Sequence, residues 1–145
     1  MEIYSIGFTQ KTAEQFFTRL KTAGIRLLLD VRLNNVSQLA GFAKRGDLAF
    51  FLREICGVEY QHEPLLAPTQ EMLEAYRSKA ASWEAYDARF RALMAERRIE
   101  RELDRALFER PTVLLCSEPT PERCHRRLVL EYLRDKWGDI TITHL

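Results

Sequence analysis

The stretch Ile25-Arg26-Leu27-Leu28-Leu29-Asp30-Val31-Arg32 decides the fold. It is too short and too uniformly apolar for the one-sided stripe of a surface helix, so it reads as a strand buried on both faces. Its charged end, Asp30 and Arg32, marks where the chain leaves the sheet. Upstream, Ile3 to Ile6 is a β-type run closed by Gly7. Ala13, Phe16, Phe17 and Leu20 then recur at helical spacing behind a Thr12–Gln15 capping box, and Gly24 is the stop. Downstream, from Arg32 to Gly46, periodicity disappears, and Asn34, Asn35, Ser37 and Gly41 predict a loop of a length that is often functional.

The same alternation continues to the end of the chain. Asp47 caps a helix carrying Leu48, Phe51, Leu52 and Ile55, Gly57 ends it, and Val58 to His62 reads as a short strand. Pro64 and Pro68 break the chain before two helical stretches, Glu71 to Lys79 and a longer one from Ser82, with Trp83, Tyr86, Phe90, Leu93 and Met94 on one face. Between Glu96 and Arg105 eight of ten residues are charged. The signs are mixed, so this run reads as a solvated helix laced by i,i+4 pairs rather than a nucleic-acid surface. Pro111 to Cys116 is a second buried strand. Thr120 and Pro121 then give the start signals of a helix reaching about Lys136, and Gly138 precedes a last strand, Ile140-Thr141-Ile142. The prediction is a three-layer α/β/α sandwich of about five mainly parallel strands, with helices on both faces and right-handed crossovers.

Composition agrees with one such domain over residues 1–145: 46% of the residues are hydrophobic and 30% charged. Lys and Arg number 22 against 21 Asp and Glu, a balance that excludes a bulk polycation for nucleic acid and leaves room for a local basic patch. No apolar run approaches the roughly 18 residues of a membrane span, and Met1-Glu2-Ile3-Tyr4-Ser5 lacks the basic start of a secretory signal, so the expected compartment is the cytoplasm. Three cysteines, Cys56, Cys116 and Cys124, are too few for a disulfide framework and read by default as thiols.

Ligands of open parallel sheets collect beyond the carboxyl ends of the strands. Those ends carry Thr9, Asp30 and Arg32, His62 and Glu63, Cys116 and Glu118, and His144. The densest set runs from Cys116 through Ser117, Glu118, Cys124, His125, Arg126 and Arg127, across a strand end, a loop and a helix start. Unpaired backbone N–H groups and nearby Arg or His can lower a thiol pKa there, which makes Cys116 either a nucleophile or a small core residue. A phosphatase-type loop needs an Arg six residues after its thiolate; position six is Glu122, with Arg123 one later, which disfavours that loop and leaves a looser anion cradle open. A zinc site is poorly spaced, because Cys124 and His125 project about 100° apart on a helix and no C-x-x-C pair exists. Cys124 shares a stripe with Leu128 and Tyr132, so core packing is its commoner fate, as exposure is for Arg126 and Arg127. His125 is either an acid/base near neutral pH or a group holding Glu118 or a carbonyl in place. Asp30 and Arg32 form the second candidate, as ligand groups or as a structural ion pair. Phe42, Lys44 and Arg45 give a weaker ligand signal, and His62 reads equally as a local hydrogen-bonding group.

The order Ser5-Ile6-Gly7-Phe8-Thr9, Leu29-Asp30-Val31-Arg32, Ser37 to Phe42, Tyr60-Gln61-His62 and Leu115-Cys116-Ser117-Glu118 through Cys124-His125-Arg126 resembles the DUF488 family, domain of unknown function 488. The terminal Ile142-Thr143-His144-Leu145 also fits. The resemblance implies a small intracellular α/β protein with no established biochemical role, and it carries over Asp30, Arg32, Cys116, Glu118, Cys124, His125 and Arg126 as motif residues. Phe8 and Thr9 stand where the family commonly has His-Ser, and Asn35 and Ser37-Gln38 stand where it usually carries a Pro and a basic Ser-Arg segment.

Three functional readings remain. In the first, an enzyme binds an anionic, phosphate-bearing ligand, a nucleotide or nucleic-acid end, with no cofactor and no metal. Cys116 is then the reactive or contacting thiol, His125 the acid/base, Arg32 and Arg126 the anion clamp, and Asp30 and Glu118 the orienting carboxylates, with Cys124 beside the ligand. In the second, a non-catalytic binding module uses the Cys-His-Arg block as a buried polar network that fixes the last helix to the sheet. A metal or redox protein using Cys116 and Cys124 together is a third reading.

Overall fold

Every residue of β4 (Thr112–Cys116) and of β2 (Leu27–Asp30) is buried, which is why both read as continuous apolar runs. Leu27, Leu29, Leu114 and Cys116 pack into one core, and Leu28, Val113 and Leu115 into another on the opposite face of the sheet. With β1 (Glu2–Gly7), β3 (Glu59–His62) and β5 (Thr141–His144), these strands form a five-stranded parallel sheet in the order β3-β2-β4-β1-β5. The computed structural model describes residues 1–34, 41–118 and 121–145.

The strand order dictates where the helices lie. From β1 the chain passes through α1 (Ala13–Thr22) to β2 and through α2 (Arg45–Phe51) to β3, and both helices bury Phe16, Phe17, Leu20 and Leu48 on one face. It then reverses direction. From β3 it returns through α3 (Gln70–Arg77), α4 (Trp83–Arg97) and α5 (Ile99–Glu102) to β4, then through α6 (His125–Trp137) to β5, all packed on the other face. Right-handed crossovers that run in opposite directions along a sheet must occupy opposite faces, so the three-layer α/β/α sandwich follows from the order alone. Adjacent β2 and β4 send their outgoing chains to opposite edges of the sheet, and a crevice opens between their carboxyl ends.

The Thr12–Gln15 capping box is present as read, and Ser82, where the sequence starts the longer helical stretch, is the N-cap of α4. Three readings change. Asp47 does not cap α2; it lies in the first turn, where a carboxylate suits the helix's positive end, and the helix runs on through a π-helical turn, Leu52–Cys56, to Gly57 at φ 65°. The last helix starts at His125, after a turn containing Pro121, with Cys124 in the N-cap position. The charged run is not one solvated helix, because Arg98 adopts a left-handed φ of 53° and the break turns Ile99 and Leu103 into the core. Arg97 there reaches the carbonyls of Leu65 and Ala67, and Glu100 takes the Tyr132 hydroxyl. The readings of Asn35, Ser37 and Gln38 as loop and of Thr120 as an N-cap lie outside the described residues. Among the described residues no helix is long and apolar enough to cross a membrane.

Candidate functional site

The crevice between β2 and β4 gathers most of the motif residues. Asp30, fully buried at the end of β2, takes a fork from Arg32, with Nε on Oδ1 and Nη2 on Oδ2, each at 2.8 Å. The Tyr60 hydroxyl on neighbouring β3 donates to Oδ2 at 2.5 Å, so the carboxylate is ringed by donors. Nη2 of Arg32 also donates to the Ala43 carbonyl at 2.8 Å, and the Phe8 ring lies 5.1 Å from the guanidinium carbon. Nη1 of Arg32 is buried and has no hydrogen-bond partner among the described residues. His62 closes the hydrogen bond expected of a structural histidine, through Nε2 to the Arg32 carbonyl at 2.9 Å.

On the β4 side the sequence reading changes most. Arg126 is 1% exposed. Its Nε donates to the Ser5 hydroxyl at 3.1 Å, and its Nη1 to the Glu118 carbonyl at 2.6 Å and to Cys116 Sγ at 3.1 Å, with Cys124 Sγ at 4.0 Å. No carboxylate among the described residues forms an ion pair with it. Burial accordingly pulls its pKa down to about 10, against the weaker pull of Glu118 and Glu122. Ser5 in turn meets His144 Nδ1 at 2.5 Å, which ties β5 into the same network. Gly7 makes this close packing possible, since a Cβ there would fall on the Glu118 carbonyl and lie 2.6 Å from Arg126 Nη1. Thr9, at the position where a polar group changes against the family pattern, donates its hydroxyl to the Ser117 carbonyl at 2.6 Å.

The cysteines also depart from the default of separate thiols: the sulfurs of Cys116 and Cys124 are in bonding contact. Spacing along the chain concealed this, because the pairing depends on the turn that folds the start of α6 back over β4. Cys56 remains a free thiol, half-buried against the Phe17 carbonyl, and its burial raises its pKa.

Two neighbouring cavities with shared lining residues open here. The inner one, of about 60 Å³, is bordered by Arg32, Arg77, Cys116, Ser117, Glu118 and His125. The outer groove, of about 600 Å³, shares Arg77, Glu118 and His125 with it and adds Cys124, Arg123, Lys79 and the aromatic rings of Tyr76, Trp83 and Tyr86. Trp83 stacks on Tyr86 with centroids 5.4 Å apart and meets Tyr76 edge-on at 5.8 Å. Nε2 of His125 lies 2.8 Å from the Val31 carbonyl. A carbonyl only accepts, so Nε2 carries the proton and Nδ1 is left as the acceptor. Burial lowers the His125 pKa to about 4, so the ring is neutral at pH 7. The start of α6 has no side-chain cap and no acidic residue in its first turn, an arrangement suited to a negative ligand.

A family model for the domain of unknown function DUF488 matches residues 12–133. The chain belongs to the DUF488 family. No curated protein and no solved structure gives a significant match. In this DUF488 protein Arg32, Cys116, Glu118 and His125 come together around the inner cavity, and Cys124 borders the outer groove. Asp30 stands behind Arg32, and Arg126 borders neither cavity, lying behind the sulfurs instead. Phe42 packs with Phe16 and Phe17 on the opposite face of the sheet, away from the crevice. No group of three His, Cys, Asp or Glu side chains suited to a metal ion occurs among the described residues. Sequence reasoning missed Arg77, Trp83, Tyr60, Ser5 and Gly7. Arg77 looks like an ordinary cation at a helix C-terminus and Trp83 like a core residue. Ser5, Gly7 and Tyr60 did carry a signal, as parts of the quoted family segments.

Proposed function

We propose that the crevice binds a phosphate-bearing ligand, a nucleotide or nucleic-acid end, with its anionic group in the inner cavity and its planar part against the aromatic wall. One observation carries this reading: Arg32 borders the inner cavity, and its buried Nη1 has no hydrogen-bond partner among the described residues. A buried donor left unmade costs about 1–3 kcal/mol, and an oxyanion in the cavity relieves that cost. Arg77, unpaired among the described residues, and the uncapped start of α6 supply the remaining positive character. Arg77 thus takes the clamp position that the sequence assigned to Arg126. Asp30 and Tyr60 hold Arg32 in place, Cys116 and Glu118 contact the ligand, and neutral His125 accepts a proton or hydrogen bond from it.

Titration calorimetry with adenosine 5′-monophosphate, inorganic phosphate and adenosine tests the reading. The monophosphate is expected to bind more tightly than either part alone, and Arg77→Ala to weaken it more than tenfold without loss of folding stability. Absence of heat with all three, and with a short 5′-phosphorylated oligonucleotide at millimolar concentration, contradicts it.

A specific observation favours a second, structural role for one residue of the block. Arg126 joins β1, the β4 loop and α6 through Ser5, Glu118 and Cys116, as a non-catalytic module would require.

A further inference from the structure

We propose that Cys116 and Cys124 are a redox-active dithiol, oxidised by hydrogen peroxide and restored by a low-molecular-mass thiol, with Arg126 as the positioning residue for the attacking thiolate. This reaction needs no phosphate-bearing ligand, so it stands or falls separately from the binding reading.

The two sulfurs face each other at the start of α6, with their Cα atoms 7.5 Å apart, so only a small shift of the backbone there has to precede their joining. The charge beside them is the second observation. A guanidinium as buried as Arg126 requires a countercharge, and no carboxylate among the described residues pairs with it. The nearest group able to become an anion is Cys116, whose sulfur accepts from Nη1 at 3.1 Å. A thiolate there supplies the missing charge, and the guanidinium in return lowers the thiol pKa. Cys124, in the N-cap position of the thirteen-residue α6, gains a smaller stabilisation from the helix's positive end. Access is the third observation. Cys116 is 1% exposed but borders the inner cavity, whose volume of about 60 Å³ admits a few water-sized molecules. A peroxide fits there, and a bulky disulfide does not.

The chemistry balances. The Cys116 thiolate attacks one peroxide oxygen, the O–O bond breaks, and hydroxide leaves as water after taking a proton, giving a sulfenic acid. Cys124 then attacks Cys116 Sγ, the S–O bond breaks, a second water departs, and the disulfide forms. Two thiols and one hydrogen peroxide give one disulfide and two waters. Two equivalents of a small thiol return the pair to the dithiol and leave as their own disulfide. The other charged or titratable groups facing Cys116 across the cavity are Arg32, Arg77, Glu118 and His125, of which His125 is neutral at pH 7.

The test uses the reduced full chain, stoichiometric hydrogen peroxide, alkylation and mass spectrometry. A Cys116–Cys124 disulfide is expected, reversible by dithiothreitol, while Cys56 stays free. In Cys124→Ser, Cys116 is expected to stop as a sulfenic acid that dimedone traps. Alkylation of reduced Cys116 against pH is expected to have its midpoint well below the ordinary value near 8.5. Arg126→Met is expected to move that midpoint to 8.5 or above and slow the peroxide reaction at pH 7 at least tenfold, with Arg126→Lys restoring much of the rate. A purely structural Arg126 would leave the midpoint unchanged. Cysteines that remain a dithiol under peroxide sufficient to oxidise Cys56, or a Cys116 that reacts only on unfolding, overturn the proposal. The wild-type measurements decide it even if Arg126→Met does not fold.

Discussion

Two buried arginines stand on either side of one crevice, and their partners differ in kind. Arg32, which borders the inner cavity, has a carboxylate in a fork, a tyrosine bracing that carboxylate, and one buried donor with no partner among the described residues. Arg126 has a hydroxyl, a carbonyl and two sulfurs, and no ion pair among the described residues. The first arrangement keeps its charge neutralised internally and leaves a single donor unsatisfied. The second leaves a charge to be neutralised, next to groups that can ionise. The same residue type, equally buried, is therefore suited to ligand recognition in one place and to thiol chemistry in the other.

Removing one member of each arrangement breaks the comparison most sharply. Arg32→Met strands a buried Asp30 carboxylate and is expected to cost about 3–5 kcal/mol of folding stability in urea denaturation. Arg126→Met leaves only neutral or ionisable partners and is expected to cost less, about 1–3 kcal/mol. Equal losses would mean that the two sites do not differ as described.

Acid titration is the next largest effect. The folded-state pKa of His125 is about 4, below its ordinary 6.5, so between those values the unfolded chain binds a proton that the folded chain refuses. Stability is then lost as pH falls from 6.5 toward 4, by up to about 3 kcal/mol. Glu100 and Glu131, whose pKa values are lowered, also lose their contributions in acid, so the quantity to measure is the difference between wild type and His125→Gln. Wild type is expected to lose about 2 kcal/mol more than the variant between pH 7 and pH 5.

Gly7→Ala probes the wall that joins the two sites. Its Cβ would overlap the Glu118 carbonyl and crowd Arg126, for an expected loss of about 1–3 kcal/mol with altered Cys116 alkylation and little change at Arg32. The smallest effect serves as the control. Arg105 pairs with Asp139 on the surface, where both side chains are substantially exposed, and Arg105→Ala is expected to change stability by at most about 1 kcal/mol.

Much of this architecture was legible in the sequence because it rests on short-range rules. Short continuous apolar runs read as strands covered on both faces, and Thr12 and Gln15 cap α1 by contacts three residues apart. The clustering of Asp30, Arg32, Cys116, Glu118 and His125 at one end of the sheet followed from strand direction alone. What stayed hidden depends on distance along the chain. Arg126 projects into the sheet because Ser5, some 120 residues earlier, accepts from it. The contact of Cys116 with Cys124 depends on a helix starting at His125 rather than near Thr120. Arg77 enters the site because the path of α3 brings its last turn to the crevice, which no local pattern encodes.

Nitrogen-15 NMR of the arginine Nε–H groups tests the division of labour most directly. Both guanidinium groups are buried and hydrogen-bonded, so both resonances should be resolved. Adenosine 5′-monophosphate is expected to shift the Arg32 signal and leave that of Arg126 in place, whereas peroxide oxidation of the cysteines shifts Arg126 and spares Arg32. A nucleotide that moves Arg126, or leaves both signals unmoved, would contradict the account.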